Sequence, residues 1–323
     1  MRPTGLAPAV DASLPELFVN RLQAILPQER LCDSLQSFAC PRPTSFRINT
    51  LKTTESALIS GLQADGFLLS PVDWRPGTYC IAPEQRRALT ESQAFNEGLI
   101  YIQDLSSMLA PMVLDPRPGE RVLDLAAAPG GKTLQIAAMM ENRGELSAVE
   151  SVRGRFFRLK ANLARGGATM VRTYLKDGRS VGVKVPERFD RVLLDAPCSS
   201  EARFSRNDPK SWSHWSLKKV QESARKQKRL LDSAIRSLKP GGTLVYCTCS
   251  FSPEENEQAV DSQIRRYGDA IAVLPIELPL NNLQPGLLQW GKRTYDEQLR
   301  HAVRVLPNAG MRGFFLCRLT RYR

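Results

Sequence analysis

From Tyr101 onward, short apolar runs alternate with longer stretches of helical spacing, a pattern that restricts the chain to a doubly wound, largely parallel sheet. Strands are expected at 121–125, 146–149, 170–174, 191–194, 243–247, 271–274 and 313–318. Helices are expected at 132–140, 153–165, 216–238 and 253–267, with 279–299, rich in Pro, Asn, Gln and Gly, as an irregular insertion. The expected fold is therefore α/β, a seven-stranded Rossmann-like sheet over 96–323 behind a small N-terminal α/β domain over 1–95. In that smaller part, 11–25 has helical spacing (Leu14, Leu17, Phe18, Leu22, Ile25). Residues 45–50 alternate like a strand, 55–64 read as a helix, and 66–69 and 78–81 as short strands.

Composition excludes several classes. No apolar stretch approaches the roughly 20 residues of a membrane span. The start, Met1-Arg2-Pro3-Thr4-Gly5, lacks a secretion signal, so a cytoplasmic location is expected. The seven cysteines form no disulfide-like framework, and His214 and His301 stand in no ligand spacing, so no metal is expected. The net charge of +12 is concentrated in two runs. One carries Arg153, Arg155, Arg158, Lys160 and Arg165; the other carries Lys218, Lys219, Arg225, Lys226, Lys228, Arg229 and Arg236. Either run alone reads as a solvated helix face. With the overall charge, they point to a polyanionic partner. The N-terminal unit then serves either as an RNA-positioning module or as a lid on the larger domain.

The first strand of the main domain runs into Asp124-Leu125-Ala126-Ala127-Ala128-Pro129-Gly130-Gly131-Lys132-Thr133. Tiny residues there let the backbone approach a ligand, and the helix N-terminus offers free amides. A P-loop needs Gly where Ala126 stands, and no G-x-G-x-x-G run is present, so the first two nucleotide readings fail. An S-adenosylmethionine site remains. Glu150, ending the second strand, stands where such folds place the acid that bonds ribose hydroxyls. Asp177, after the third strand, is placed to accept from the adenine amino group, and Arg155 either flanks the adenosine or belongs to the basic face.

Two cysteine segments follow expected strands, Asp195-Ala196-Pro197-Cys198-Ser199 and Thr248-Cys249-Ser250. Together with Gln103-Asp104, 124–133, Leu238-Lys239-Pro240-Gly241-Gly242 and Pro253-Glu254-Glu255-Asn256-Glu257, they resemble the RNA cytosine-5 methyltransferases of the Nop/Sun type, which include bacterial ribosomal small-subunit enzymes. The resemblance implies a methyltransferase with S-adenosylmethionine as cofactor and RNA as partner, ribosomal ahead of transfer RNA, acting as a monomer. Rival readings are a DNA cytosine-5 enzyme and a non-catalytic RNA-binding assembly factor.

Carbon 5 of cytosine is a poor nucleophile until a thiolate adds at carbon 6 and breaks the ring conjugation. DNA enzymes use a Pro-Cys for this, which nominates Cys198; the RNA family uses the Thr-Cys, which nominates Cys249. The flanking residues match the RNA family, so the resemblance implies Cys249 as nucleophile and Cys198 as the group assisting product release. It further implies that Asp195 hydrogen-bonds the N3–N4 edge of the base and also lies near the cofactor. Lys132 would lower the thiol pKa or orient Asp195, and Asp124 would brace the loop. Ala126, Ala127, Ala128, Pro129, Gly130, Gly131 and Lys132 would line the cofactor. Arg203, Arg206 and Lys210 suggest a basic rim, with Trp212 and Trp215 either stacking on bases or packed in the core. Two positions depart from the family pattern: Ser200 where glycine is common, and Ala126 where cysteine is frequent. No C-terminal RNA-binding domain is expected after the last strand.

Overall fold

Strands that are apolar at successive positions need cover on both faces, and Val122, Leu123, Val192, Leu193, Leu194, Leu244 and Val245 are all fully buried. The computed structural model describes residues 14–323. Among these, the main sheet runs in the order Leu283–Pro285, Val303–Val305, Phe314–Arg321, Leu238–Thr248, Phe189–Asp195, Arg121–Asp124, Glu145–Glu150, Val171–Leu175. Ile271–Leu274 also pairs with Phe314–Arg321. The five strands from Leu238–Thr248 to Val171–Leu175 are parallel, and the pairings beyond Leu238–Thr248 are antiparallel. All seven expected strands form. Two short ones, Leu283–Pro285 and Val303–Val305, bring the sheet to nine, the first from the stretch expected to be irregular.

Strand order reverses between Arg121–Asp124 and Phe189–Asp195, so their carboxyl ends part and open a crevice. Helices Leu105–Leu114 and Gly131–Met139 cover one face through Met108, Leu109, Leu134 and Ile136. Helix Leu217–Ser237 covers the other through Leu230, Leu231, Ala234 and Ile235, capped by Ser216, whose hydroxyl accepts from Lys219 N. Helix Glu257–Tyr267 starts four residues later than expected. Asn256 sits at φ −108°, ψ −102°, and the side chains of Glu255 and Asn256 bond the cysteine loops instead.

The small sheet orders Ser70–Pro71, Thr78–Ile81, Thr44–Ile48 and Ile100–Ile102, all antiparallel. Residues 66–69 form no strand. Gly66, at φ +86°, ends helix Glu55–Ala64, and Phe67 N donates back to Leu62 O. Helix Glu16–Ile25 occupies most of the expected 11–25, whose first residues lie outside those described. It packs Phe18 against Phe204, Trp215 and Phe251, so burial of the N-terminal segment braces the loops of the larger domain. Trp212 and Trp215 are partly buried and pack against this cluster. No helix among the described residues is long and apolar enough to cross a membrane.

Candidate active site

Asp124 ends its strand buried and closes the turn after it, accepting from Thr133 Oγ1 at 2.7 Å and from the Ala126 amide. Its Oδ1 is buried with no partner, and burial pushes the carboxyl up to about 7. Gly130 lies at φ +107°, a left-handed conformation that favours glycine, and helix Gly131–Met139 starts from it. A Cβ at Gly131 would stand 2.8 Å from the Tyr101 ring. Arg47, from the small sheet, is buried and donates to Gly131 O at 3.1 Å and to Gln103 Oε1 at 3.0 Å. Burial, then the charge of Arg75, pulls its pKa down to about 9.

A cavity of about 530 Å³ lies over this loop at the switch point. Ala126, Ala127, Ala128, Pro129, Gly131, Lys132, Arg155, Asp195, Cys198 and Cys249 line it. Gly130, Glu150 and Asp177 do not. Glu150 is buried beside the loop, accepting from Val152 N at 2.8 Å, with Arg155 Nε 3.7 Å away. Arg155 also donates to Ala128 O at 2.7 Å, tying the loop to the next helix. Asp177 caps a short turn, its oxygens taken by the backbone and guanidinium of Arg179, which together hold its pKa below the ordinary range.

Register brings the cysteines together. Asp195 pairs with Cys247 across adjacent parallel strands, so the residues after each strand leave the sheet side by side. Cys198 and Cys249 end with their sulfurs 3.4 Å apart. The hydrogen bond from Cys198 lowers the Cys249 pKa; burial opposes this, and the guanidinium of Arg203 reinforces it. The same sharing, with burial, drives Cys198 well upward. Ser200, at φ +60°, ψ +29°, adds a hydroxyl bond to Cys249 that glycine could not make. Lys132 Nζ donates to Asp195 Oδ2 at 2.7 Å and to Ser107 Oγ at 2.6 Å. Burial works against that ammonium, but the Asp195 charge outweighs it and the pKa is raised. Cys247 donates to the other oxygen, Asp195 Oδ1, at 3.6 Å.

A second cavity of about 610 Å³ opens between the small domain and the sheet edge. Lys132, Asp195, Arg203 and Cys249 line both cavities, whereas Cys198 lines only the first. Behind the cysteine loops lie two buried carboxylates. Glu255 accepts from Ser199 N at 2.9 Å, the Ser199 hydroxyl, Gln227 Nε2 at 3.1 Å and Ser250 Oγ at 2.5 Å. Glu201 accepts from Phe251 N, Ser252 N, Ser252 Oγ and Trp215 Nε1 at 2.7–2.9 Å. These two acids bind the loops carrying Cys198 and Cys249 into one unit. Sequence reasoning gave them no role, although Glu255 lay in a motif already singled out. Ser107, a turn beyond Gln103-Asp104, was also missed, because its contact with Lys132 spans the sheet edge.

This architecture is that of the Rossmann-like methyltransferases. It matches the crystal structure of a methyltransferase homologue from Pyrococcus horikoshii with a TM-score of 0.82 and 32% identity, covering 98% of this chain and 100% of that one. Residues 111–320 match the family described as 16S rRNA methyltransferase RsmB/F, and residues 14–105 match the N-terminal domain of 16S rRNA methyltransferase RsmF; the chain belongs to the RsmB/F family. It is 38% identical over 315 residues to the ribosomal RNA small subunit methyltransferase F of Cronobacter sakazakii, covering 95% of this chain and 63% of that protein. It is equally 38% identical, over 284 residues, to the tRNA (cytosine(49)-C(5))-methyltransferase of Pyrococcus abyssi, covering 88% and 89%. The chain thus spans less than two thirds of the length of the enterobacterial relatives. The family is the one the motifs resemble.

Proposed function

We propose that the chain methylates carbon 5 of a cytosine in RNA, ribosomal ahead of transfer RNA, with S-adenosylmethionine as cofactor, in the cytoplasm. The observation that carries this is the position of the Cys249 sulfur. It faces both cavities beside the Lys132–Asp195 pair, with its pKa lowered by Cys198. The loop cavity fits the cofactor: its wall is of tiny residues, and the unpartnered Asp124 Oδ1 lies buried beneath it. Ala126, Ala127, Ala128, Pro129, Gly131, Lys132, Arg155 and Asp195 would hold the group, with Gly130 shaping the turn and Glu150 buried beside the loop. When bound, S-adenosylmethionine supplies an electrophilic methyl. The Asp124–Thr133 bond keeps the loop closed at that side.

In the second cavity the Cys249 thiolate adds to carbon 6 of the flipped base, which makes carbon 5 enamine-like. Asp195, held by Lys132, bonds the N3–N4 edge and favours protonation there as the thiolate adds. After methylation, the carbon 5 proton passes to solvent, its electron pair restores the carbon 5–carbon 6 double bond, and the carbon 6–sulfur bond breaks to free Cys249 as thiolate, with Cys198 assisting release. The match of residues 14–105 to the RsmF N-terminal domain supports ribosomal RNA over transfer RNA.

Trapping on RNA and DNA containing 5-azacytosine tests the assignment. Adduct is expected with RNA and not with DNA. Cys198→Ala should accumulate the adduct on RNA, and Cys249→Ala should show neither adduct nor methylation. The opposite pattern reverses the two roles. Full RNA affinity without methyl incorporation by the unaltered chain would make it an assembly factor.

A further inference from the structure

We propose that Arg42 and Arg312 form a clamp for a phosphodiester next to the target cytidine, at the wall of the 610 Å³ cavity. The proposal rests on the RNA reading above and adds the group that anchors the strand. Arg42, Arg86, Arg203 and Arg312 all line this cavity, against the carboxylates of Asp104 and Asp195. Asp195 is already committed to Lys132. Asp104 caps helix Leu105–Leu114 with the oxygen that takes Ser106, and its other oxygen meets Arg312 Nε at 3.0 Å.

Among the described residues, Arg42 makes no ion pair of its own and shares the field of Asp104, whose free oxygen is taken by Arg312. Arg42 is half-buried, reaches Ser37 Oγ at 3.1 Å, and its Nε is buried with no partner. Arg42 and Arg312 line the same cavity, and burial, then the charge of Arg312, pulls the Arg42 pKa down, with Asp104 opposing. Asp104 offsets part of this, but one carboxylate cannot neutralise two partly dehydrated guanidiniums, and a second anion between them would lower the free energy. Planar guanidinium forks match the oxygens of a phosphate, and a phosphodiester presents two such oxygens per nucleotide. The volume lies in the range of nucleotide-sized ligands.

The placement is built in, not incidental. Pro41 and Pro43 flank Arg42 and restrict the backbone on both sides of it. Gly313, next to Arg312, has no room for a side chain, because a Cβ there would stand 2.3 Å from the Phe251 ring. Arg42 belongs to the N-terminal segment and Arg312 to the loop before the last strand. A phosphate shared by both joins the two parts of the chain over Cys249.

The experiment pairs arginine substitution with a neutral backbone linkage. A short single-stranded RNA with one cytidine is made with a methylphosphonate on its 5′ or its 3′ side. Affinity is measured against KCl for the unaltered chain, Arg42→Gln and Arg312→Gln. S-adenosylhomocysteine affinity serves as the folding control. Each substitution should weaken RNA binding roughly tenfold and lower the salt slope by about one. One of the two neutral linkages should weaken the unaltered chain by a similar factor and add little to either variant.

Independent effects of linkage and substitution, or an unchanged salt slope, would overturn the clamp. If a variant loses S-adenosylhomocysteine binding, the linkage arm on the unaltered chain decides: no loss at either linkage sinks the proposal. A chain that shows the coupling yet methylates no RNA overturns the methyltransferase reading and leaves the clamp standing.

Discussion

Ser250 Oγ sits between two buried carboxylates, 2.5 Å from Glu255 Oε2 and 2.9 Å from Glu201 Oε2. A hydroxyl has one proton to donate, so it can serve only one of them. Glu201 already accepts from Phe251, Ser252 and Trp215. Glu255, enclosed beside Glu201, is the acid of the two that keeps its proton. Burial, followed by the charge of Glu201, accordingly pushes Glu255 from 4.5 up to about 7.

Between those values the folded chain keeps a proton that the unfolded chain has released. That contribution to stability is fully present below about pH 4.5 and is lost as pH rises through about 7. At about 1.4 kcal/mol per unit, the full loss is about 3.5 kcal/mol, of which about 2–3 kcal/mol falls between pH 5 and 8. Glu255→Gln mimics the neutral acid: its carbonyl can accept from Ser199 N and Gln227, and its amide can donate to Ser250. Urea unfolding at pH 5 to 8 should show the unaltered chain losing about 2–3 kcal/mol more than the variant. The variant should be at least as stable at pH 8. Asp124, also raised by burial, acts in both proteins and cancels in the difference. Parallel pH curves, or a variant several kcal/mol weaker at pH 8, would refute the proton count.

Arg203→Gln removes a cation that favours the Cys249 thiolate, so iodoacetamide alkylation, with its inflection expected near 7, should shift to higher pH and slow several-fold at neutrality. An unmoved inflection would leave the field of Arg203 without effect. Ser200→Gly relieves a left-handed serine and should stabilise the chain by roughly 0.5 kcal/mol in thermal melts. The same change deletes the hydroxyl bond to Cys249 and should raise its alkylation inflection. Gly98→Ala should cost about 3 kcal/mol or more, since the conformation is left-handed at φ +71° and a Cβ would stand 2.3 Å from Arg165 O. A variant with an unchanged melting temperature would contradict the close approach of the small domain to helix Arg153–Arg165.

Local pattern carried much of this protein. Val122-Leu123 and Val192-Leu193-Leu194 are apolar at consecutive positions, which only doubly covered strands tolerate, so the parallel core was readable from residue order. Ala126–Gly131 and the two cysteine segments were readable for the same reason: small residues after a strand imply a ligand, and topology puts strand ends at one crevice. The segment 279–299 misled, since Leu283–Pro285 gains its strand only by pairing with Val303–Val305, a partner that local alternation cannot reveal.

Everything that depended on distance across the fold came from packing. The 3.4 Å between Cys198 and Cys249 follows from the register of two strands separated by more than forty residues. The commitment of Lys132 to Asp195, the enclosure of Glu201 with Glu255, and the placing of Arg42 and Arg312 on one cavity wall are likewise long-range. Charge states followed suit, because desolvation and neighbouring fields exist only once the chain is folded. A residue's chemistry is written in its type; its pKa and partner are set by what other parts of the chain bring beside it.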